Sequence, residues 1–354
     1  MTATDNDSTG RGAPSLVEQP GGSAGATAAS GPGDGQQQAP QQRTLGNRLA
    51  AAPWAELAAP IGLVVLVVVF SALTPTFLTG GNIQAILAAS AILVVLAVGQ
   101  TFVVATSGID LSVASTMTLG AVVLGQFVAA GTSIALACLA GVAAAAVVGV
   151  VNGLLVARGK ITDFIVTLAT LSAASGLALV VADGKPQPVI DRFLLELASG
   201  GIGPVAWPVL VAIVVAVGAH VVLFHSRFGL RLLATGGSEE AARKTGVHTA
   251  RIKTAAYVIS GVLAGLAAVL LVARVGAAEP ASNTSFLLNS VAAVVLGGVS
   301  LFGGRATIVG PVIGAVLLTA LANGLTLVGV SQFYQPLAVG VVVAAAAFLT
   351  RFSR

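Results

Sequence analysis

The chain has 354 residues, 56% of them hydrophobic and only 8% charged, where a soluble domain carries roughly 25% charged residues. Its apolar residues come in runs of about 17 to 25, the length a helix needs to cross roughly 30 Å of hydrocarbon, so composition excludes a soluble fold and points to an all-α polytopic membrane helix bundle. A net charge of +4 does not imply nucleic acid, because the basic residues are scattered between apolar runs, where orientation in a membrane accounts for them.

Residues 1–45 are rich in Gly, Ser, Ala, Gln and Pro and are expected to form a disordered cytoplasmic tail; residues 46–354 form the transmembrane domain. No apolar segment precedes the run at 58–73, which is expected to act as the first membrane anchor. Further spans are predicted at 83–105, 112–130, 133–156, 161–182, 205–224, 252–273, 284–302, 306–325 and 334–350, about ten in all. Divisions are weakest at 106–111 and 303–305, where short loops could belong to broken helices. With the N-terminus inside, fourteen of the seventeen Lys and Arg residues fall in the cytoplasm and only Lys185, Arg192 and Arg274 fall outside, so both termini are expected to be cytoplasmic. Two loops carry most of the remaining polarity. The outer one, about 183–203, is polar enough to meet a soluble partner, and the inner one, about 225–252, holds the densest charge.

Within the inner loop, Ser238 to Gly246 reads as a short helix. Ser238 is a plausible N-cap, Glu239 and Glu240 suit the positive end of the helix dipole, and Gly246 can take the left-handed C-terminal position. Glu239 with Arg243 and Glu240 with Lys244 fall at i,i+4 in the favourable order. A helix of about two turns is marginal alone in water, so the segment either docks on another subunit or is a solvated loop ordered by its flanking spans.

No G-x-x-x-x-G-K-[ST] phosphate loop occurs, so any ATP hydrolysis belongs to a separate subunit and the chain itself is not expected to be an enzyme. Span interiors hold almost no ionisable residues, which argues against an ion-coupled carrier. The polar residues Gln100, Asp110, Ser112, Asn152 and Asn289 are candidates for a translocation path. Three of them have a structural alternative: Asp110 could cap the third span, and Asn152 and Asn289 could make interhelical hydrogen bonds. Gly149 with Gly153, Gly261 with Gly265 and Gly310 with Gly314 are small-xxx-small pairs suited to tight helix crossings. His220, His225 and His248 lack acidic or cysteine neighbours at ligand spacing, and the single Cys138 can form no intrachain disulfide, so neither a metal site nor a cofactor is expected.

The stretches Ser107-Gly108-Ile109-Asp110-Leu111-Ser112-Val113, Asn152 to Ile161, Ser226-Arg227-Phe228-Gly229, Gly236 to Gly246 and Leu296 to Gly304 together resemble the ribose-type permease subunits of bacterial ABC importers, over about residues 60–350. The resemblance implies a paired permease in the inner (plasma) membrane, built from two copies or two homologous chains. It also implies two cytoplasmic ATPase subunits and an extracytoplasmic solute-binding protein. Its expected cargo is a monosaccharide of the ribose, xylose or galactose type, with branched-chain amino acids or nucleosides as the alternative. A short cytoplasmic helix docks on the ATPase in such importers, and here that position matches Ser238, Glu239, Glu240, Arg243, Lys244 and Gly246.

Overall fold

A computed structural model describes residues 54–281 and 284–351; the expected tail over 1–45 lies outside the described residues. The chain runs through helices α1 (Trp54–Leu73), α2 (Gly80–Ala105), α3 (Val113–Ala129), α4 (Ile134–Ala157), α5 (Asp163–Val181), α6 (Arg192–Ser199) and α7 (Trp207–Phe224). It continues through α8 (Arg227–Gly237), α9 (Glu239–Lys244), α10 (Thr249–Val275), α11 (Thr284–Leu296), α12 (Val309–Leu327) and α13 (Gln335–Arg351). Two short antiparallel ladders, Gln187–Pro188 with Ala277–Ala278 and Gly201–Ile202 with Val205–Ala206, are the only strand pairs among the described residues.

Burial sorts these helices into an inner and an outer set. From Ser90 to Ala105 every residue of α2 is buried, and α3 and α10 are buried along most of their lengths. Helices α1, α4, α5 and α7 instead leave large apolar side chains exposed, among them Val68, Val147, Val180 and Val214. In water that surface would be costly; in hydrocarbon it is the outer face of the bundle. Among the described residues, six helices are long and apolar enough to cross a membrane: α2, α4, α5, α7, α10 and α12. Shorter apolar helices occupy Leu57–Leu73, Val113–Ala129, Thr284–Leu296 and Gln332–Ala344.

The expected eighth span, 284–302, is corrected: α11 stops at Leu296 after 13 residues, about 20 Å of rise. The cause is local. Gly297 lies against the backbone of Gly310 and Pro311, and Gly298 adopts a φ of 77°, so the chain turns where a continuous helix was read.

The most extensive helix–helix contact is between α4 and α10. A Cβ added at Gly149 would sit 2.4 Å from the Tyr257 carbonyl oxygen, and one at Gly265 would sit 2.6 Å from the Val142 Cα. Gly153 and Gly261 face the same partner helices at comparable range, so the small-residue pairs read from the sequence do form this crossing. Gly310 and Gly314 of α12 contact Gly297 and Ala293 in the same way.

Loops gather at two ends. At one, the 106–112 loop meets the end of α8 and the 297–308 loop, through Ser107 to Gly236 and Phe302 and through Gly304 to Ala105. At the other, the Gln187–Pro188 strand pairs beside the end of α10, the Gln126 amide donates to the Val181 carbonyl, and Asn82 and Asn323 exchange amide hydrogen bonds. These are called below the α9 end and the α6 end.

Candidate functional site

The loop that joins α2 to α3 buries Thr106, Gly108, Asp110 and Ser112 and leaves Ser107 and Ile109 exposed, and hydrogen bonds hold it along its length. Gln100 donates through Nε2 to the Asp110 carbonyl at 2.6 Å. The Asp110 carboxylate accepts from the Ser112 N–H at 2.9 Å and hydroxyl at 2.7 Å through Oδ1, and from the Ser260 hydroxyl at 2.9 Å through Oδ2. Asn152 Nδ2 donates to Ser112 Oγ at 2.8 Å, and the Thr170 hydroxyl donates to Asn152 Oδ1 at 2.6 Å. The chain of donors thus runs from Thr170 through Asn152 and Ser112 to Asp110. Four elements converge here: α2, α4, α5 and α10. Each of Gln100, Asp110, Ser112 and Asn152 is less than 5% exposed, so satisfaction by internal partners is what makes their burial tolerable.

Of the five path candidates read from the sequence, the fold brings Gln100, Asp110, Ser112 and Asn152 together. The N-cap role for Asp110 is corrected: Ser112 occupies the cap of α3, and Asp110 closes a turn on the Ser112 N–H instead. Asn289 stands apart, half-buried on α11, with no side-chain hydrogen bond among the described residues. Gln100 Oε1 is buried without a partner, the one acceptor in the cluster left open.

Tyr257, Ser260, Asp163 and Thr170 also hold the loop and were not among the candidates. The Tyr257 hydroxyl donates to the Ile109 carbonyl at 3.2 Å, and Asp163 Oδ2 accepts from the Ile109 N–H at 2.6 Å. A sequence signal existed for Tyr257, one of two tyrosines in the chain, because a hydroxyl inside an apolar helix needs a partner.

The charged inner segment folds as two helices. Ser226 caps α8, its Oγ accepting from the Gly229 N–H, and Ser238 caps α9, its Oγ accepting from the Ala241 N–H at 3.2 Å. Gly246 has a φ of 86°, the left-handed position expected of it. Of the two expected ion pairs, Glu240 with Lys244 forms at 2.7 Å. Glu239 with Arg243 is corrected. Glu239 turns toward the first turns of α10, where Lys253 donates to it at 2.5 Å and Thr249 at 3.2 Å. Two partners fixed on a long buried helix outcompete one flexible arginine on the same short helix. The Lys253 hydrogen bond holds the Glu239 carboxyl below its usual range.

Between α9, the 156–163 loop and the start of α10 lies a cavity of about 880 Å³. Arg158, Lys160, Arg243 and Arg251 line it, and none of them is in an ion pair among the described residues. The α9 end therefore presents positive charge beside a short helix locked to the bundle.

A family described as the branched-chain amino acid transport system / permease component matches residues 82–350. This chain belongs to that permease family. The ribose import permease protein RbsC of Escherichia coli K12 is 38% identical over 310 residues, covering 85% of this permease and 96% of the relative. RbsC of Bacillus subtilis 168 is 39% identical over 294 residues, covering 82% and 91%. The L-arabinose ABC transporter permease protein AraH of Azospirillum brasilense is 35% identical over 295 residues, covering 82% and 87%. No solved structure matches the permease.

Proposed function

We propose that this permease is the membrane-spanning subunit of an ATP-driven importer and carries a monosaccharide delivered by an extracytoplasmic binding protein. The observation that carries the reading is the α9 end. There a capped charged helix is tied through Glu239 and Lys253 to α10, and through Gly236 to the loop that holds the buried polar cluster. Such an arrangement suits a segment that receives force from an ATPase. The sequence lacks a phosphate loop of its own, so that ATPase is a separate subunit. Relatives named for ribose and L-arabinose support a monosaccharide cargo.

In this reading ten helices cross the bilayer, both termini are cytoplasmic, and two permeases pair. The short α3 and α11 belong to spans completed by the loops at 106–112 and 297–308. The α9 end faces the cytoplasm and the ATPase, with residues 225–252 as the coupling segment; the α6 end faces the binding protein. Fourteen of seventeen basic residues support that orientation. The tail over 1–45 stands as a separate cytoplasmic segment. Gln100, Asp110, Ser112 and Asn152 spend most of their hydrogen bonds on one another, so they meet solute only when the loop shifts. Asn289 is the path candidate already open.

The test is uptake into vesicles holding the permease with its cognate ATPase and binding protein. Labelled ribose or arabinose should accumulate only when ATP and binding protein are both present. Uptake of leucine or a nucleoside instead would replace the cargo, and uptake driven by an ion gradient without ATP would overturn the reading.

A further inference from the structure

The α9 end contains a contact that the charge pairs of α9 do not explain. Ser107 is one of three non-glycine residues with positive φ among the described residues, at 62°. Serine in that conformation is strained unless its surroundings hold it there. Here its hydroxyl lies 2.8 Å from the Gly236 carbonyl at the end of α8 and 2.7 Å from the Phe302 carbonyl in the 297–308 loop, and it shares one proton between them. The main chain closes around it. The Gly304 N–H donates to the Ala105 carbonyl at 3.1 Å; a Cβ at Gly236 would sit 1.9 Å from that same carbonyl oxygen, and one at Gly304 would sit 2.7 Å from the Gly237 Cα. Three segments far apart in sequence therefore meet main chain to main chain around Ser107.

Ser107 is three residues from Asp110. One side of this loop is the proton-sharing contact to α8, and the other is the buried cluster with Gln100, Ser260 and Asn152. We propose that Ser107 is a positioning residue for transport: its hydroxyl clasps α8 to the 106–112 and 297–308 loops, so that displacement of α8–α9 is passed to the buried polar cluster around Asp110. This rests on the reading of α8–α9 as the ATPase-facing segment. A clasp of this kind is suited to movement because the Gly236 carbonyl lies in the last turn of α8, where a carbonyl has no partner within its own helix and can exchange one donor for another.

The test uses the whole importer in vesicles. Ser107→Ala keeps the backbone strain and removes the hydroxyl, while Ser107→Gly removes the hydroxyl and relieves the strain. Gly304→Ala breaks the same contact from the opposite side. All three should retain ATPase co-purification and ATP hydrolysis, and should lose about tenfold in solute imported per ATP, the consequence of one such hydrogen bond. Normal imported solute per ATP in Ser107→Gly would overturn the clasp, since backbone shape alone would then suffice. Loss of assembly in all three would also overturn it, by making the contact structural. The parent reading fails differently: Glu240→Lys would then leave ATPase co-purification intact, whatever the Ser107 variants do.

Discussion

Two glycine-lined contacts bring main chains of this permease together, and what surrounds the glycines differs between them. Where α4 crosses α10, Gly149, Gly153, Gly261 and Gly265 lie within continuous helices whose backbone groups are satisfied internally, and the polar link across the crossing is the Thr254 hydroxyl on the Gly153 carbonyl. At the α9 end, Gly236 lies in the last turn of α8 and Gly303 and Gly304 lie in the 297–308 loop at φ near 75°, and the segments are joined by the Ser107 hydroxyl and the Gly304 N–H. Close approach in the first case leaves one side-chain hydrogen bond between helices that are satisfied within themselves and makes a fulcrum. In the second it leaves hydrogen bonds that can be traded and makes a latch.

The largest effect is expected from breaking the fulcrum. Gly149→Leu would drive a side chain into the Tyr257 carbonyl, at a cost of about 3 kcal/mol or more for overpacking against backbone. Little folded protein should survive detergent extraction, as judged by size-exclusion chromatography and thermal melting. The cluster behind the latch comes next. Asp110→Ala removes the acceptor of the Ser112 N–H, the Ser112 hydroxyl and the Ser260 hydroxyl, each costing about 1–3 kcal/mol if left unpaired. Asp110→Asn, which keeps the Oδ1 acceptor, should lower the melting temperature less and still impair uptake.

Changes on the α9 surface should leave the fold intact and act on assembly. Glu240→Lys breaks the pair with Lys244 and places three basic residues, with Arg243 and Lys244, on one short helix. Pull-down of the ATPase should fall while the melting temperature barely moves. The smallest effect is a pH dependence. Glu239 has its carboxyl lowered by Lys253, so its contribution is fully present above the ordinary carboxylate range and is lost as pH falls through the lowered value. The difference in melting temperature between the native chain and Glu239→Gln should therefore be constant near neutral pH and shrink only on acidification below that ordinary range.

The fulcrum was legible in the sequence because small-xxx-small spacing on apolar runs has one structural use in lipid. The helical caps at Ser238 and Gly246 were legible for the same reason, being set by neighbours a few residues away. What the sequence concealed is long-range. Glu239 chose Lys253 over Arg243 because α9 folds back on α10, and no spacing rule contains that fold-back. Asp110, Ser112 and Asn152 could be named as polar residues in apolar surroundings, but their union with Ser260 and Thr170 depends on α10 and α5 arriving beside them. The early end of α11 was hidden as well, since Gly297 and Gly298 are tolerated inside membrane helices until a neighbour such as Gly310 takes the space.

Fulcrum and latch are separated most directly by spin-label distances in the assembled importer, with Cys138 replaced. One label pair, at Arg243 and Arg305, spans the latch; a second, at Leu155 and Arg251, spans the fulcrum, and all four positions are exposed. Between the nucleotide-free and the nucleotide-trapped importer, the first distance should change and the second should stay fixed. An unchanged Arg243–Arg305 distance, or a Leu155–Arg251 distance that moves as much, would contradict the account.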